Sequence, residues 1–303
     1  MAFRDLYRRQ AALLIRVLPD VAQEKSFALK GGTAINLFIR DMPRLSVDID
    51  LTYLGLEERP ESLAAIDAAL RRIAERLRTH ISGIKIDQQK IDNRVTKLLI
   101  RADGVQIKIE VAPVLRGCVF DPELRTVSEP VETAFGFAEI QMLSFADIYA
   151  GKFVAALDRQ HPRDLFDVGA LLANEGIDDL LRRAFIVYLL SHNRPMSEIL
   201  APRLKDISDE FTRGFDGMTD RPVAIDELLS AREALIKNIV GKMPETHRRF
   251  LISFETGKPE WEILDLPHVA QLPAVTWRQF NLDQTTPAKR ATLVEGLKKV
   301  LSE

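Results

Sequence analysis

The chain has one cysteine, no long apolar run and no excess of basic residues, and each absence excludes a class of protein. A single cysteine among 303 residues, Cys118, excludes an internal disulfide and is typical of a reducing compartment. A membrane-spanning helix needs about 18 apolar residues in succession, and the sequence has no such run. A net charge of −2 argues against a protein that coats nucleic acid. Charges interrupt the apolar positions of 3–18, which predicts an amphipathic helix instead of a secretory signal, and hence a cytoplasmic protein.

The residues that are present have the composition of an ordinary globular protein, 46% hydrophobic and 28% charged, without internal repeats. Apolar residues alternate with polar ones in parts of the first half, whereas the second half mostly shows helical spacing. This change of pattern indicates a boundary near residue 142, with further short strands expected up to that point. The predicted strands span 27–30, 46–53, 96–102 and 105–111, and the predicted helices span 3–18, 33–40, 61–78, 144–159, 162–173, 177–191, 224–240, 244–255 and 286–302.

Two aspartates lie one residue apart in the segment SVDIDL, whose alternation predicts a strand. Because side chains alternate across a strand, Ser46, Asp48 and Asp50 share one face, and the apolar residues between them pack on the core. Neighbouring carboxylates repel each other, and a divalent cation such as Mg²⁺ or Mn²⁺ would remove the conflict. The alternative is a solvated strand face whose two acids bind nothing.

A third acid, Glu110, lies in the later predicted strand VQIKIEV, on the same face as Gln106 and Lys108. If this strand lies beside the first one, Glu110 can join Asp48 and Asp50. Three carboxylates on neighbouring strands can hold two metal ions for phosphoryl or nucleotidyl transfer. The prediction is therefore a metal site formed by these three acids, and the alternative for Glu110 is a surface ion pair with Lys108.

The segment KGGT joins a predicted strand to a predicted helix just before the aspartates. Glycines permit a tight turn and close approach of a ligand, and the free N–H groups at a helix start suit a phosphate. The spacing is neither that of a P-loop nor that of a dinucleotide-binding fingerprint. We predict that Gly31, Gly32 and Thr33, with Arg44 and Ser46, bind the phosphates of a nucleotide; the alternative is a tight turn without a ligand.

The predicted helix 144–159 carries Lys152 in or beside its apolar stripe, so the ammonium either extends to water or points into a cleft. Arg159 follows on the same side two turns later, and the two cations are predicted to hold a triphosphate. Asp164 lies near the start of the next predicted helix, where the helix dipole alone would favour it. Arg163 and Asp167, one turn apart on that helix, can form an ion pair.

Four segments in this order, KGGTAINLF, RLSVDIDL, IKIEV and GKFVAALDRQHPRDLFDV, resemble the AbiEii/AbiGii-type toxin family over residues 25–175. The resemblance implies an α+β fold with a polymerase-β-like nucleotidyltransferase core over 1–142, in which a mixed sheet is combined with helices. It implies that a helical C-terminal region over 143–303 completes the active-site cleft. The family's motifs map onto Gly31, Gly32, Ser46, Asp48, Asp50, Lys152, Arg159, Arg163, Asp164 and Asp167. The resemblance implies catalytic roles for Asp48, Asp50, Lys152, Asp164 and Asp167.

The same resemblance implies an enzyme that moves an NMP from an NTP to RNA, with release of pyrophosphate. The expected acceptor is the 3′ end of tRNA, and the expected cofactor is Mg²⁺ or Mn²⁺. The family also implies the toxin of a toxin–antitoxin pair active in phage defence, with an antitoxin as partner. Two alternatives stay open: a non-catalytic module that binds a nucleotide or a partner on the same fold, and a glycosyltransferase that uses the D-x-D motif. The early position of that motif, without preceding βαβ units, disfavours the glycosyltransferase.

Overall fold

The computed structural model describes residues 5–302, which form two compact units. The first unit comprises residues 5–144 together with 216–223, and the second comprises 145–215 together with 224–302. Residues 1–4 and 303 lie outside the described residues. They include residues 3 and 4 of the first predicted helix, the start of the predicted region 1–142 and the end of the predicted region 143–303. The segment 216–223 belongs to the first unit because it pairs with the chain ahead of the aspartates: Leu45 donates to Met218 O at 2.9 Å, and Arg44 and Thr219 form an antiparallel bridge.

The first unit is built on a seven-stranded mixed sheet. Its elements in chain order are α1 (Asp5–Val21), β1 (Phe27–Lys30), α2 (Gly31–Ala34, continued by a π-helical turn at Ile35–Ile39), β2 (Asp48–Tyr53), α3 (Arg59–His80), β3 (Lys85–Ile91), β4 (Arg94–Ala102), β5 (Val105–Arg116), β6 (Glu123–Thr126), α4 (Glu129–Phe135) and β7 (Glu139–Met142). The strand order is β3-β4-β5-β2-β1-β7-β6. β2 runs parallel to β5 and antiparallel to β1, so the acidic strand lies in the middle of the sheet.

The two faces of this sheet differ in polarity. α1 and α3 pack on the sheet, and alternate apolar residues such as Ile49, Leu51 and Ile109 are fully buried. Burial of each such side chain contributes about 1.5–3 kcal/mol relative to exposure. Asp48 and Asp50 alternate with the buried residues of β2 and are only half-buried. The alternation predicted for this strand is therefore confirmed, and the charged residues lie on the face opposite the core.

Most predicted elements of this unit are confirmed, with changes at their ends. The strand at 27–30 has the predicted bounds. Asp103 and Gly104, which form the hairpin turn between β4 and β5, have φ of 52° and 72°. Both values are left-handed, as a two-residue hairpin turn between twisted strands requires. The strand predicted at 46–53 begins at Asp48, because Ser46 lies in the segment that turns into the strand.

Strand β3 was not predicted, since its sequence KIDQQKI is largely polar and mostly exposed. It is an edge strand that pairs with β4 alone. The sequence of an edge strand is therefore less constrained to apolar residues than that of a central strand. The signal that could have found it is the turn that follows. Asp92 and Asn93 both have positive φ, 49° and 61°, which is typical of a two-residue hairpin loop.

Within residues 145–215 and 224–302 the second unit contains helices and no strand. The helices are α5 (Phe145–Asp158), α6 (Pro162–Asn174), α7 (Asp179–Leu190), α8 (Met196–Leu200), α9 (Ser208–Gly214), α10 (Ile225–Ile236, continued by a π-helical turn at Lys237–Gly241), α11 (Glu245–Glu255), α12 (Pro273–Asp283) and α13 (Pro287–Ser302), with short 3₁₀ helices at Trp261–Ile263 and Pro267–Gln271. α5 packs against α6 and α7, and α6 against α10. The helices α8, α9 and α12 were not predicted. No helix in the described part of the chain combines the length and apolarity needed to cross a membrane.

Candidate active site

The central strands of the sheet bring lysines and acids into one row. Asp50 of β2 lies in register between Lys30 of β1 and Glu110 of β5, and Glu110 lies opposite Lys97 of β4. Residues in register on adjacent strands share a face and have neighbouring side chains. The prediction that Glu110 lies on a strand beside the aspartates, on the same face, is therefore confirmed. Asp48 faces Lys108 in the next row.

The lysines contact the acids directly. Lys108 Nζ lies 2.8 Å from Glu110 Oε2 and 3.6 Å from Asp48 Oδ2, and Lys97 Nζ lies 3.1 Å from Glu110 Oε1. The ion pair of Lys108 with Glu110, which was the alternative for Glu110, is thus present. Repulsion among the acids is offset by lysine side chains, although the sequence pattern indicated a divalent cation for this purpose.

Two opposing effects shift the pKa values of these acids and lysines: burial disfavours the charged form, and ion pairing favours it. Burial raises the pKa of Asp50, against the opposing attraction of Lys30 and Lys108. Burial also lowers the pKa of Lys30, against the attraction of Asp50 and Glu110. For Glu110 burial favours a higher pKa, but the hydrogen bonds from Lys108 and Lys97 hold its pKa below the usual value. Glu110 is therefore an ionised partner of two lysines.

The metal site formed by all three acids stays a prediction. Within residues 5–302, no group of three or more His, Cys, Asp or Glu side chains is arranged to hold a metal ion. Each carboxylate oxygen of Glu110 contacts a lysine. Asp48 and Asp50 alone fit Mg²⁺ or Mn²⁺, since Mg²⁺ is usually held by one or two carboxylates and the phosphates of a substrate.

The glycine turn lies directly against the acid pair formed by Asp48 and Asp50. A Cβ added at Gly31 would lie 2.9 Å from Asp50 Oδ2, and one at Gly32 would lie 2.8 Å from Arg44 Nη2. Gly31 also has φ of +74°, a conformation that disfavours any other residue. The backbone conformation and the approach of Asp50 thus both favour glycine at position 31, and the approach of the buried Arg44 favours it at position 32.

The other residues predicted to bind phosphates surround this turn but are buried. Thr33 Oγ1 donates to Ser46 Oγ at 3.0 Å and also contacts the carbonyl oxygen of Asp48. Arg44 is 2% exposed and donates through Nη1 to Leu45 O at 3.0 Å. These three side chains connect the turn to the start of β2, and their part in nucleotide binding stays a prediction.

A second cluster of charges lies in the helical unit, between α5 and α6. Lys152 Nζ lies 2.9 Å from Asp164 Oδ1 and 3.0 Å from Asp167 Oδ2. Arg159 contacts the same Asp164 through Nε at 2.6 Å and Nη2 at 3.0 Å. The prediction that Lys152 and Arg159 lie on one side of the helix is confirmed, because both reach one carboxylate. Lys152 points inward and not to water, since its side chain is 7% exposed.

Local sequence explains how α6 presents its acids. Pro162 occupies the first helical turn, and His161 caps the helix by accepting from the Arg163 backbone N–H at 3.1 Å. Asp164 therefore lies in the first turn, where the helix dipole favours a negative charge. Burial alone would raise the pKa of Asp164, but Lys152 and Arg159 outweigh it and hold that pKa well below its usual range. Asp164 is thus a permanently ionised partner of both cations.

Three lysines at the acid pair were not assigned from the sequence as site residues. Lys30 directly precedes the glycine turn, Lys97 lies on β4, and Lys108 was considered only as a surface partner of Glu110. Alternation was the available signal for Lys97 and Lys108, because it places both on the polar faces of their strands. The order of the strands in the sheet and their register must be known before the positions of the lysines relative to the aspartates can be predicted.

Two comparisons with known proteins bear on the family and the fold of the chain. The family model described as "Nucleotidyl transferase AbiEii toxin, Type IV TA system" matches residues 12–275, well beyond the range covered by the sequence motifs. Among solved structures, MenT4, the nucleotidyltransferase toxin Rv2826c from Mycobacterium tuberculosis H37Rv, is similar with a TM-score of 0.58 and 19% identity over 93% of this chain and 99% of that chain.

At that identity the structural likeness shows the fold, an α+β architecture with a mixed sheet and a helical C-terminal region, as predicted. No curated protein sequence matches the chain. The family match spans most of the residues and includes the glycine turn, both aspartates and the buried lysine cluster. The chain therefore belongs to the AbiEii nucleotidyl transferase toxins of type IV toxin–antitoxin systems.

Proposed function

We propose that the chain transfers an NMP from an NTP to RNA, with the 3′ end of tRNA as acceptor, at the acid pair of the sheet. The observation that carries the proposal is the contact between this pair and the glycine turn. Asp50 lies against the main chain of Gly31, and both aspartates are half-buried on the polar sheet face of a nucleotidyl transferase family member. A carboxylate pair beside the backbone N–H groups of a helix start suits a metal–triphosphate ligand.

In this proposal Asp48 and Asp50 hold Mg²⁺ or Mn²⁺ together with the phosphates of the NTP. The bound metal would activate the attacking oxygen and stabilise the leaving one. The backbone of Gly31, Gly32 and Thr33 binds phosphate oxygens, and the buried side chains of Arg44 and Ser46 keep that backbone in place. The 3′-oxygen of the acceptor forms a bond to the α-phosphorus, and the bond between the α-phosphorus and the oxygen that bridges to the β-phosphate breaks. Pyrophosphate leaves, and the proton of the 3′-hydroxyl passes to solvent.

The buried cluster has a different assignment. Arg159 is 63% exposed at its side chain, and Asp164 fixes the orientation of its guanidinium. Lys152 is enclosed between Asp164 and Asp167. We assign Lys152 and Arg159 to triphosphate binding, and the two aspartates to positioning these cations.

Membership in a toxin–antitoxin family implies a cognate antitoxin and a nucleotide substrate. The non-catalytic module stays as the second candidate function, and one observation favours it: lysines already offset the charge of the acids on the sheet face. Such a module would bind NTP without turnover. Transfer and binding therefore have to be measured on the same preparation.

The test incubates the protein with Mg²⁺, each labelled NTP in turn and total tRNA, followed by mass spectrometry of the tRNA. We expect added nucleotide mass at the 3′ end with the wild type and none with Asp50→Asn. Asp87→Asn is the matched control, because Asp87 is a carboxylate of the same sheet that pairs with Arg101 on β3–β4. NTP binding without labelling of any RNA by the wild type would refute the transferase and establish the binding module.

A further inference from the structure

Glu110 and the two lysines that contact it form a cluster with more cations than anions. Lys97 contacts Oε1 of Glu110 and Lys108 contacts Oε2, so one carboxylate holds two ammonium groups, one on each oxygen. Exposed ion pairs of this kind contribute little to stability, about 0–1 kcal/mol. Stability is thus a weak reason to place two lysines on one acid in the middle of a sheet.

The two lysines keep donors for a further ligand. Each ammonium has three N–H donors, and Lys97 has one carboxylate partner here while Lys108 has two, the longer at 3.6 Å. Their side chains are 27% and 28% exposed, so the ammonium groups are partly desolvated but reachable. A phosphate oxygen is the ligand that such paired, pre-oriented cations favour, because charge-assisted hydrogen bonds to phosphate are the strong ones.

The cluster formed by Glu110, Lys97 and Lys108 lies next to the acid pair on the sheet. Lys108 contacts Asp48 as well as Glu110, and Asp50 lies in register with Glu110 on the adjacent strand. A phosphate bound by Lys97 and Lys108 would therefore lie beside Asp48 and Asp50 on the same sheet face. Each oxygen of Glu110 contacts a lysine, so a metal ion would have to compete with both lysines for this carboxylate.

We propose that Lys97 and Lys108 bind a phosphate group beside the acid pair, and that Glu110 is their positioning residue and not a metal ligand. The inference rests on the proposed function only for the origin of the phosphate, which is either the triphosphate of the NTP or the backbone of the acceptor RNA. Both sources present the same oxyanion chemistry to the lysines. Direct binding measurements separate them without any turnover.

The experiment compares Lys97→Met and Lys108→Met with Lys85→Met, a control on the same sheet. Lys85 is an exposed lysine of β3 in register with Arg101, away from the acids. One titration uses an NTP analogue with a non-cleavable α,β-bridge, and a second uses a short single-stranded RNA at several salt concentrations. Each site variant should weaken binding about tenfold, the loss of one charge-assisted hydrogen bond.

The two titrations identify the source of the phosphate. Weakening confined to the analogue assigns the lysines to the triphosphate. Weakening confined to RNA assigns them to the acceptor, and the slope of log affinity against log salt should then fall by about 0.7 per lysine. The proposal is overturned if Lys97→Met and Lys108→Met bind both ligands as Lys85→Met does, or if the wild type binds neither ligand.

The assignment of Glu110 needs its own readout, the Mn²⁺ affinity measured by electron paramagnetic resonance. Glu110→Gln should keep the Mn²⁺ affinity of the wild type, whereas Asp48→Asn should lose it. A loss of Mn²⁺ affinity of about tenfold or more in Glu110→Gln would overturn the positioning role. Absence of Mn²⁺ binding in the wild type would count against the proposed transferase and support the view that Glu110 serves only the lysines.

Discussion

The sheet unit and the helical unit each hold lysines against carboxylates, but at very different depths. On the sheet, Lys108 and Glu110 have side chains 28% and 37% exposed. Between α5 and α6, Lys152 and Asp164 have side chains 7% and 1% exposed. The same pair of functional groups is thus accessible to a ligand in one unit and enclosed in the other, and this difference determines what each can contribute.

Depth decides the energetics because water screens the exposed pair and not the enclosed one. An exposed ion pair can be broken or rearranged at little cost, so its lysine can exchange a carboxylate for a phosphate. A buried pair stabilises little when intact, but loss of one partner leaves an uncompensated charge in the interior. We therefore expect the sheet cluster to tolerate substitution while losing ligand binding, and the helical cluster to lose stability.

The largest expected effect comes from applying one substitution to both clusters. Lys152→Met removes the buried cation that Asp164 and Asp167 share and should lower the free energy of unfolding by about 3–5 kcal/mol. Lys108→Met should lower it by less than about 1 kcal/mol, because Glu110 keeps Lys97. Urea denaturation followed by circular dichroism measures both. Equal losses in the two variants would remove the distinction between the clusters.

A smaller effect is expected at the glycine turn, where the acid pair itself causes crowding. Gly31→Ala meets both a left-handed φ and Asp50 Oδ2 at 2.9 Å, and should cost about 1–3 kcal/mol. Gly83→Ala is the matched control, since Gly83 has φ of +73° and open space around it. The difference between the two variants in thermal unfolding measures the contact with Asp50. Addition of Asp50→Ala should recover that difference, and a failure to do so would place the turn away from the acid.

The smallest effect concerns acid pH and the helical cluster. The folded-state pKa of Asp164 is held below its ordinary value of 3.8, so its stabilisation is present above 3.8 and is lost as the pH falls below it. Between pH 5 and pH 3 the wild type should lose about 1 kcal/mol more than Asp164→Asn, which has no carboxyl to protonate. Denaturant titrations at both pH values test this. An identical pH dependence of the two proteins would show that Asp164 is not held in its ionised form.

Local patterns were sufficient to predict the faces of individual elements. Alternation placed Asp48 and Asp50 opposite the buried Ile49 and Leu51, because successive side chains of a strand must point to opposite faces. Helical spacing placed Lys152 and Arg159 on the same side, and Lys152 of α5 and Arg159, directly after its end, both contact Asp164. These properties depend only on the geometry of one element and are therefore written in the sequence.

Properties that involve two elements were predicted less well. Glu110 was expected to join the aspartates as a metal ligand, and it does lie beside Asp50, but its oxygens contact Lys97 and Lys108. Lys97 comes from β4, whose register with β5 is set by the Asp103-Gly104 turn. Edge strand β3 escaped prediction because a strand with one neighbour and exposed side chains has no strict polarity pattern.

The sequence by itself determined the class of site: a glycine turn, two aspartates on one strand face and a lysine followed by two aspartates on successive helices, in the order of the AbiEii family. Only the tertiary structure decided the partner of each charge. It enclosed Lys152 between two aspartates and gave Glu110 to two lysines. The physical reason is that electrostatic pairing depends on distances of a few ångströms between side chains from different elements, and strand register and helix packing set those distances.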